Sequence, residues 1–312
     1  MPQVKHFQYA SADRLTQIHA IWWIPDGEIH GIIQVVHGMQ EFIDRYEEFA
    51  QFMNQQGILV VGHDHLGHGA SIRSEAHFGY FAEENGNKVL LSDIRELQRI
   101  TQEAYPGLPY FLLGHSMGSF LSRQYLCMYG SKLDGAVICG TAWHSALEAR
   151  MGMILCRVIA LFRGWNYRSR LVDRMATGNF NKKFQPSRTP VDWLSRDEAV
   201  VDRYRSDRRT QFVFTLNAYY NMFYSLKYLT ENKNLSKMPC DLPVFFIAGE
   251  DDPVGNFGLG VKKVAVSFRA GGMRRVDCKL YPHDRHEILN ELDRADVCKD
   301  IWNWMKRTGA KL

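Results

Sequence analysis

The 312 residues hold no Cys-x-x-Cys pair, no internal repeat, no low-complexity tract and no long unbroken apolar run. The six cysteines, at 127, 139, 156, 240, 278 and 298, lack the spacing of a structural zinc site or a redox pair. Cys139 sits inside an apolar strand pattern, so they read as buried thiols of a reducing compartment. The amino-terminal Met-Pro-Gln-Val-Lys-His-Phe-Gln-Tyr has no apolar core of the kind a secretory signal needs. The longest apolar stretch, Met151 to Phe162, is interrupted by Arg157 and falls well short of the ~20 residues that span a bilayer. A cytoplasmic protein without a transmembrane segment is therefore expected. Nucleic acid is not an expected partner, because no recognised fold motif accompanies the basic charge.

What is present is an ordinary globular composition, 46% hydrophobic, 12% aromatic and 23% charged, with ample material for a core. A chain near 300 residues sits where one domain begins to divide, so a core with an inserted subdomain is expected. Alternation over Leu15 to Ile24 predicts an antiparallel strand closed by Pro25-Asp-Gly27. Strand-like runs at Gly31 to Val36 and Ile58 to Gly62 flank a helix at Tyr46 to Gln55. Val89 to Ala104 follows as a helix, then Tyr110 to Leu113 as a strand, Gly118 to Tyr129 as a helix and Gly135 to Cys139 as a strand. The alternation resumes at Leu242 and ends in a helix near Asp293 to Lys306. Strands alternating with helices require crossover connections, hence an α/β class with a mostly parallel central sheet and helices on both faces.

About a hundred residues separate the strand ending near Gly140 from the one starting at Leu242, far more than a crossover needs. The predicted organisation is a core of residues 1–141 and 234–312 with an inserted helical cap, 142–233. Sixteen Lys and Arg against eight Asp and Glu give the segment from Ala142 to Lys233 a charge of +8, leaving −4 to the rest of a chain whose total is +4. That asymmetry suggests a basic surface, which would suit anionic lipid or form a solvated, salt-bridged face. The same segment carries large apolar groups, among them Met151, Ile154, Leu155, Phe212, Tyr220 and Phe223. Some pack the cap itself, and others are candidates for lining an acyl pocket.

The most specific local signal is Tyr110-Phe-Leu-Leu-Gly114-His115-Ser116-Met117-Gly118, an apolar strand running straight into G-x-S-x-G and then into a helical pattern. A serine on so tight a turn crowds its neighbours two before and two after, and glycine tolerates that crowding. A serine can also simply N-cap a helix after a strand, so partners decide. After the apolar run from Leu242 to Ala248 comes Gly249-Glu250-Asp251-Asp252-Pro253, and after Val276 to Tyr281 comes Pro282-His283-Asp284-Arg285-His286-Glu287. Nucleophile, then acid, then base is the chain order that a serine hydroxyl, an imidazole to take its proton and a carboxylate to orient that imidazole follow in this fold class. An oxyanion needs two backbone donors, one after the nucleophile and one from an early strand-to-helix loop. The strand Gly31 to Val36 ends in His37-Gly38-Met39, so the amides of Met39 and Met117 are the candidate pair.

Taken together, Val36-His-Gly-Met39 with Arg45-Tyr46, Asp64-His-Leu-Gly-His68-Gly69-Ala-Ser71, Gly114-His-Ser-Met-Gly118, Gly249-Glu-Asp-Asp252-Pro-Val and His286 resemble the monoacylglycerol lipase and lysophospholipase family of serine α/β-hydrolases. The resemblance covers nearly the whole chain and is weakest in its middle. It implies an α/β-hydrolase fold with Ser116 as nucleophile, Asp252 rather than Asp251 as acid, His286 rather than His283 as base, and Met39 and Met117 as oxyanion amides. One departure is Phe42, where members of the group often carry histidine.

His63-Asp64-His65-Leu66-Gly67-His68 also approaches the H-x-H-x-D-H run of dinuclear metallohydrolases, with Gly67 where the carboxylate would stand. Metal ligation by His63, His65 and His68 is one reading, and a loop braced beside the active site is the other. The expected activity is hydrolysis of carboxylic esters through an acyl-enzyme on Ser116, with no cofactor. The resemblance implies monoacylglycerols or lysophospholipids as substrates. A general carboxylesterase, a thioesterase or a peptidase would share the same three residues, since pocket shape separates them. A metal-dependent hydrolase and a hydrolase-fold protein that binds ligand without turnover are the remaining alternatives.

Overall fold

The computed structural model describes residues 3–312. Residues 1 and 2, which begin the amino-terminal segment and the first core range above, lie outside the described residues. In chain order the elements are β1 (Gln3–Ala10), β2 (Gln17–Ile24), β3 (Gly31–Val36), α1 (Glu47–Asn54), β4 (Ile58–His63), α2 (Gly86–Ala104), β5 (Tyr110–His115), α3 (Met117–Tyr129) and β6 (Gly135–Cys139). There follow α4 (Ala146–Arg163), α5 (Arg170–Thr177), α6 (Glu198–Ser206), α7 (Leu216–Tyr228), α8 (Asn232–Leu235), β7 (Val244–Gly249), α9 (Leu259–Ala270), β8 (Val276–Tyr281) and α10 (Arg294–Arg307).

The strands form a single sheet in the order β1-β2-β4-β3-β5-β6-β7-β8. β2 runs antiparallel to β1 and to β4, and every other neighbouring pair is parallel. This is the α/β-hydrolase arrangement. The inner strands read as unbroken apolar runs because both sheet faces are covered. In β4, Ile58 and Val60 face α1 and α10 while Leu59 and Val61 face the opposite side, where α2, α3 and α9 pack. β1 lies outside the predicted alternation: as an edge strand it buries only Tyr9, so its apolar pattern is too weak to mark it.

Between β6 and β7 the chain leaves the sheet for α4 to α8. α4 begins with a reciprocal cap in which the Ser145 hydroxyl accepts from the Glu148 amide and the Glu148 carboxylate accepts from the Ser145 amide, as expected of Ser-x-x-Glu. α8 spans Asn232–Leu235, so a boundary drawn after residue 233 cuts through this short helix.

Because β3, β5, β6, β7 and β8 are parallel, their carboxyl-terminal ends share one edge of the sheet. Ser116 follows β5, His37 to Met39 follow β3, Asp252 lies beyond β7 and His286 beyond β8. Topology therefore brings together groups up to 249 residues apart in sequence, at the edge where open α/β sheets hold ligands.

Candidate active site

Ser116 stands between the last residue of β5 and the first of α3 with φ 53° and ψ −121°, a conformation that costs a non-glycine residue about 1–3 kcal/mol. The surroundings enforce it. The Ser116 amide donates to the Cys139 carbonyl at 3.0 Å, and its carbonyl accepts from the Ser119 amide at 2.9 Å and from the Ser119 hydroxyl at 2.5 Å. A Cβ on Gly114 would collide with Ser122 and one on Gly118 with the Val36 carbonyl, which explains both glycines of the motif.

Asp252 is wholly buried, and its Oδ1 lies 3.0 Å from Nδ1 of the almost wholly buried His286. The Val254 amide donates to the same oxygen at 2.9 Å. Asp251 instead points outward to Lys183 Nζ at 2.5 Å, and His283 is exposed with φ 65°. The structure thus joins Asp252 and His286 and leaves the neighbouring candidates aside. The His286 ring is held between His115, at 4.8 Å between centroids, and Trp193, at 5.1 Å.

The loop after β3 lies directly against the serine, since a Cβ on Gly38 would press on Ser116 Cβ and on the Glu41 carboxylate. Met117 is the first residue of α3, so its amide has no intrahelical acceptor. Glu41 organises this region from below. Its Oε1 accepts from the Gly38 amide, lies 2.8 Å from His115 Nδ1 and accepts from the Tyr46 hydroxyl at 3.1 Å, while Oε2 is 3.2 Å from Arg45. Arg45 also grips Glu287 with both terminal nitrogens, at 2.8 and 2.6 Å. Burial works against charge on Glu41, yet His115 and Arg45 hold its carboxyl well below the ordinary range. Burial likewise disfavours a charged His115, but Glu41 raises it above the usual imidazole value. Glu41, His115, Arg45 and Glu287 therefore tie the β3 loop, the elbow and the His286 loop into one buried ionic network. Spacing alone did not reveal it, because the four residues come from three separate stretches of the chain.

His37, His63, His65 and His68 are all wholly buried. Burial and mutual repulsion push His37 and His65 well down; burial, then neighbouring imidazoles, take His63 to about 3, and burial outweighs hydrogen bonding to take His68 to about 4. They pack as rings: His37 and His65 are 4.2 Å apart, and His68 touches Phe81, Phe212 and Phe214. Their nitrogens do not converge. Among the described residues, the groups whose ligand atoms do converge are His19 with Asp44 and Asp64, and Asp284 with Glu291 and Asp293. Asp64 braces its loop by accepting from the Ile43 and Ala70 amides, both at 2.8 Å.

Ser116, Met39, Met117 and His286 border a cavity of about 1020 Å³ whose far side is built by the inserted segment. Of the candidate acyl-pocket residues, Met151, Leu155 and Phe223 line it, whereas Ile154, Phe212 and Tyr220 do not. The reason for Ile154 is helical phase: on α4, Glu148, Met151, Gly152 and Leu155 share the inner face and Ile154 falls on the outer one. Tyr220 turns outward to accept from Arg157 at 2.5 Å, and Phe212 stacks on Phe78 in a separate groove. Leu194, Tyr204 and Met222 also line the cavity, and no sequence periodicity singles them out.

Residues 27–293 match the family described as serine aminopeptidase, S33. The chain is 27% identical to a monoacylglycerol lipase of Mycolicibacterium smegmatis, over 91% of this chain and 90% of that one. It is 34% identical to a monoglyceride lipase homolog of monkeypox virus, over 92% and 94%. Among solved structures, a highly thermostable carboxyl esterase from Bacillus coagulans in complex with glycerol superposes with a TM-score of 0.90 at 29% identity, covering 99% of each chain.

Proposed function

The chain belongs to the serine aminopeptidase S33 family, and on that premise we propose that it is a serine hydrolase cleaving carboxylic esters of monoacylglycerol or lysophospholipid type. Ser116 Oγ attacks the acyl carbonyl while His286 takes its proton, with Asp252 keeping Nδ1 of that imidazole protonated. The developing oxyanion is received by the amides of Met39 and Met117. His286 then returns the proton to the departing alcohol oxygen, and a water deprotonated by the same imidazole cleaves the acyl-enzyme, restoring the serine.

The observation that carries the ester reading is the lining of the cavity. Met151, Leu155, Val172, Met175, Met222, Phe223 and Leu226 give the cavity an apolar stretch of wall, which suits an alkyl chain, and Asn181, Gln185, Arg188 and Thr189 give it a polar stretch that suits a hydroxylated headgroup. An aminopeptidase would need an available carboxylate for the substrate ammonium. Of the three glutamates in the lining, Glu41 and Glu287 are paired with His115 and Arg45, and Glu148 caps α4. Acyl esters of rising length should show kcat/KM climbing about fourfold per methylene, ~0.8 kcal/mol each, until the cavity is full. Ser116→Ala should abolish both turnover and labelling by a fluorophosphonate probe. Preference for an aminoacyl arylamide over every acyl ester would falsify the ester reading.

The outer face of α4 supports contact with an anionic lipid surface. Leu147, Ile154, Leu161 and Phe162 are exposed there, interspersed with Arg150, Arg157 and Arg163, an arrangement suited to an interface that is apolar and negatively charged at once. No described helix is long and apolar enough to cross a membrane.

A further inference from the structure

The loop carrying His286 is held from two sides. On the core side, the Asp251 amide donates to the Asp284 carbonyl at 2.9 Å, and Gly249 approaches so closely that a Cβ there would overlap the Asp284 and Arg285 carbonyls. On the other side lies a five-residue strap of the inserted segment, Asp192 to Arg196. The His286 amide donates to the Trp193 carbonyl at 3.3 Å and the Glu287 amide to the Leu194 carbonyl at 2.7 Å. Arg285 Nη1 donates to the carbonyls of Asp192 and Ser195, at 2.5 and 3.1 Å, and the Ser195 hydroxyl to the Asn290 carbonyl at 3.1 Å.

The strap ends at Arg196, whose guanidinium meets three carboxylates. Nε lies 3.0 Å from Glu291 Oε2, and Nη2 contacts Asp284 Oδ1 and, at 2.9 Å, Asp293 Oδ1. Asp284 and Glu291 have wholly buried side chains. Glu291 Oε1 accepts from the amides of both Arg196, at 3.0 Å, and Arg285, at 2.9 Å, so one carboxylate is shared between strap and loop. One cation facing three acids leaves the cluster short of positive charge. Burial, with Asp293 and Glu291 behind it, raises the Asp284 carboxyl to about 8 in spite of Arg196.

We propose that Arg196 is a positioning residue for His286, locking the imidazole-bearing loop to the inserted segment through Asp284 and Glu291; the inference rests on the assignment of His286 as the base. Without the guanidinium, the buried Glu291 carboxylate loses its counter-charge, the neighbouring Asp284 carboxyl keeping its proton, and the loop opens. An imidazole displaced by ~1 Å loses about 10²-fold in rate. The strap is then part of the catalytic frame, and any opening of the inserted segment has to hinge elsewhere.

The test is steady-state kinetics on a soluble short-chain ester, with thermal melting measured in parallel. Arg196→Met should lower kcat about 10²-fold with KM within about threefold, the loss belonging to the transition state rather than to binding. Adding Glu291→Gln should restore at least tenfold of it by removing the stranded charge. Arg196→Lys, which keeps the charge without the fork, should melt near the wild-type temperature and lose about tenfold in kcat. A wild-type kcat in Arg196→Lys and Arg196→Met, a change confined to KM, or a loss matching the unfolded fraction overturns the positioning role. Turnover by Ser116→Ala would overturn the serine mechanism instead, so the two failures are separable.

Discussion

α4 and α7 are neighbours that meet the rest of the molecule in opposite ways. They approach closely where Gly152 of α4 faces the Phe223 ring of α7. α7 buries Leu216, Asn217, Ala218, Tyr219, Asn221, Ser225 and Leu226, and its polar groups bond into the core. Asn221 Oδ1 accepts from the Asn87 amide at 2.8 Å, Ser225 donates to Gln124 at 2.9 Å, and Asn217 donates to the Ala82 carbonyl at 2.8 Å. α4, with 18 residues, buries only Ala149 and Cys156 and leaves Leu161 and Phe162 more than 80% exposed. One helix is stitched to the core by directional bonds, while the other rests on an apolar seam and holds Leu147, Ile154, Leu161 and Phe162 out in solvent. The inserted segment is therefore two things, a fixed frame of α7 and the strap and an outer helix free to meet a partner. The cavity has a densely bonded floor from the core loops and a roof from the inserted segment, apolar where Met151, Leu155, Met222 and Phe223 line it and polar where Asn181, Gln185, Arg188 and Thr189 do.

If floor and roof differ in this way, floor substitutions act on kcat and roof substitutions on chain-length selectivity. The largest effect should come from Asp252→Asn, which would cut kcat by up to about 10⁴ with folding intact, because the imidazole would take the wrong tautomer. A larger loss from Asp251→Asn, measured in the same assay, would overturn the assignment.

Next in size is acid sensitivity, which arises outside the cavity, in the buried histidines at and after the end of β4. His63 and His68 stay neutral in the fold down to about 3 and about 4, mainly through burial, whereas an unfolded histidine protonates near 6.5. At these two sites the unfolded chain then binds more protons than the native one below about pH 6.5, so their contribution to stability falls as pH drops, approaching about 1.4 kcal/mol per pH unit for each such histidine. Because the buried Asp284 and Asp93 carboxyls, raised to about 8 and about 7, act with the opposite sign over the same range, the histidine contribution is read as a difference: in urea titrations at pH 7, 6 and 5, His63→Phe should lose less stability than the wild type as pH falls.

Asn221→Leu should destabilise the protein by about 1–3 kcal/mol by leaving the Asn87 amide without its acceptor, whereas Ile154→Ser on α4 should stay within about 0.5 kcal/mol. Equal shifts in melting temperature would erase the distinction between the helices. Phe223→Ala should lower kcat/KM for long acyl chains by about 10–100-fold and leave acetyl esters nearly unchanged, a roof effect visible only when the chain reaches it. The smallest effect on soluble substrate belongs to the paired change Leu161→Ser and Phe162→Ser, which should leave soluble-ester turnover as it is. The same protein should lose activity on anionic vesicles, and the wild type should lose it as salt rises. Vesicle activity unchanged in both measurements would leave α4 without an interfacial role.

The sequence by itself determined most of the sheet and the loops from which the candidate residues emerge at its edge. Unbroken apolar runs alternating with helical ones dictate parallel strands, and the turn-rich segments after Leu113, Ala248 and Tyr281 announce where polar groups emerge. Such signals are local, carried by glycines and strand ends within a few residues of Ser116, Asp252 and His286. β1 escaped because an exposed edge strand has little apolar pattern to read. Tertiary structure alone decided that Phe223 faces the cavity while Tyr220 bonds Arg157, since a one-residue rotation of a helix separates roof from surface and several phases satisfy the same apolar count. It alone joined Glu41 to His115, Arg45 to Glu287 and Arg196 to Asp284 and Glu291, because a buried charge finds its partner through three-dimensional proximity, across as many as 242 residues in the Arg45–Glu287 pair, and leaves no period or spacing in the chain to mark it.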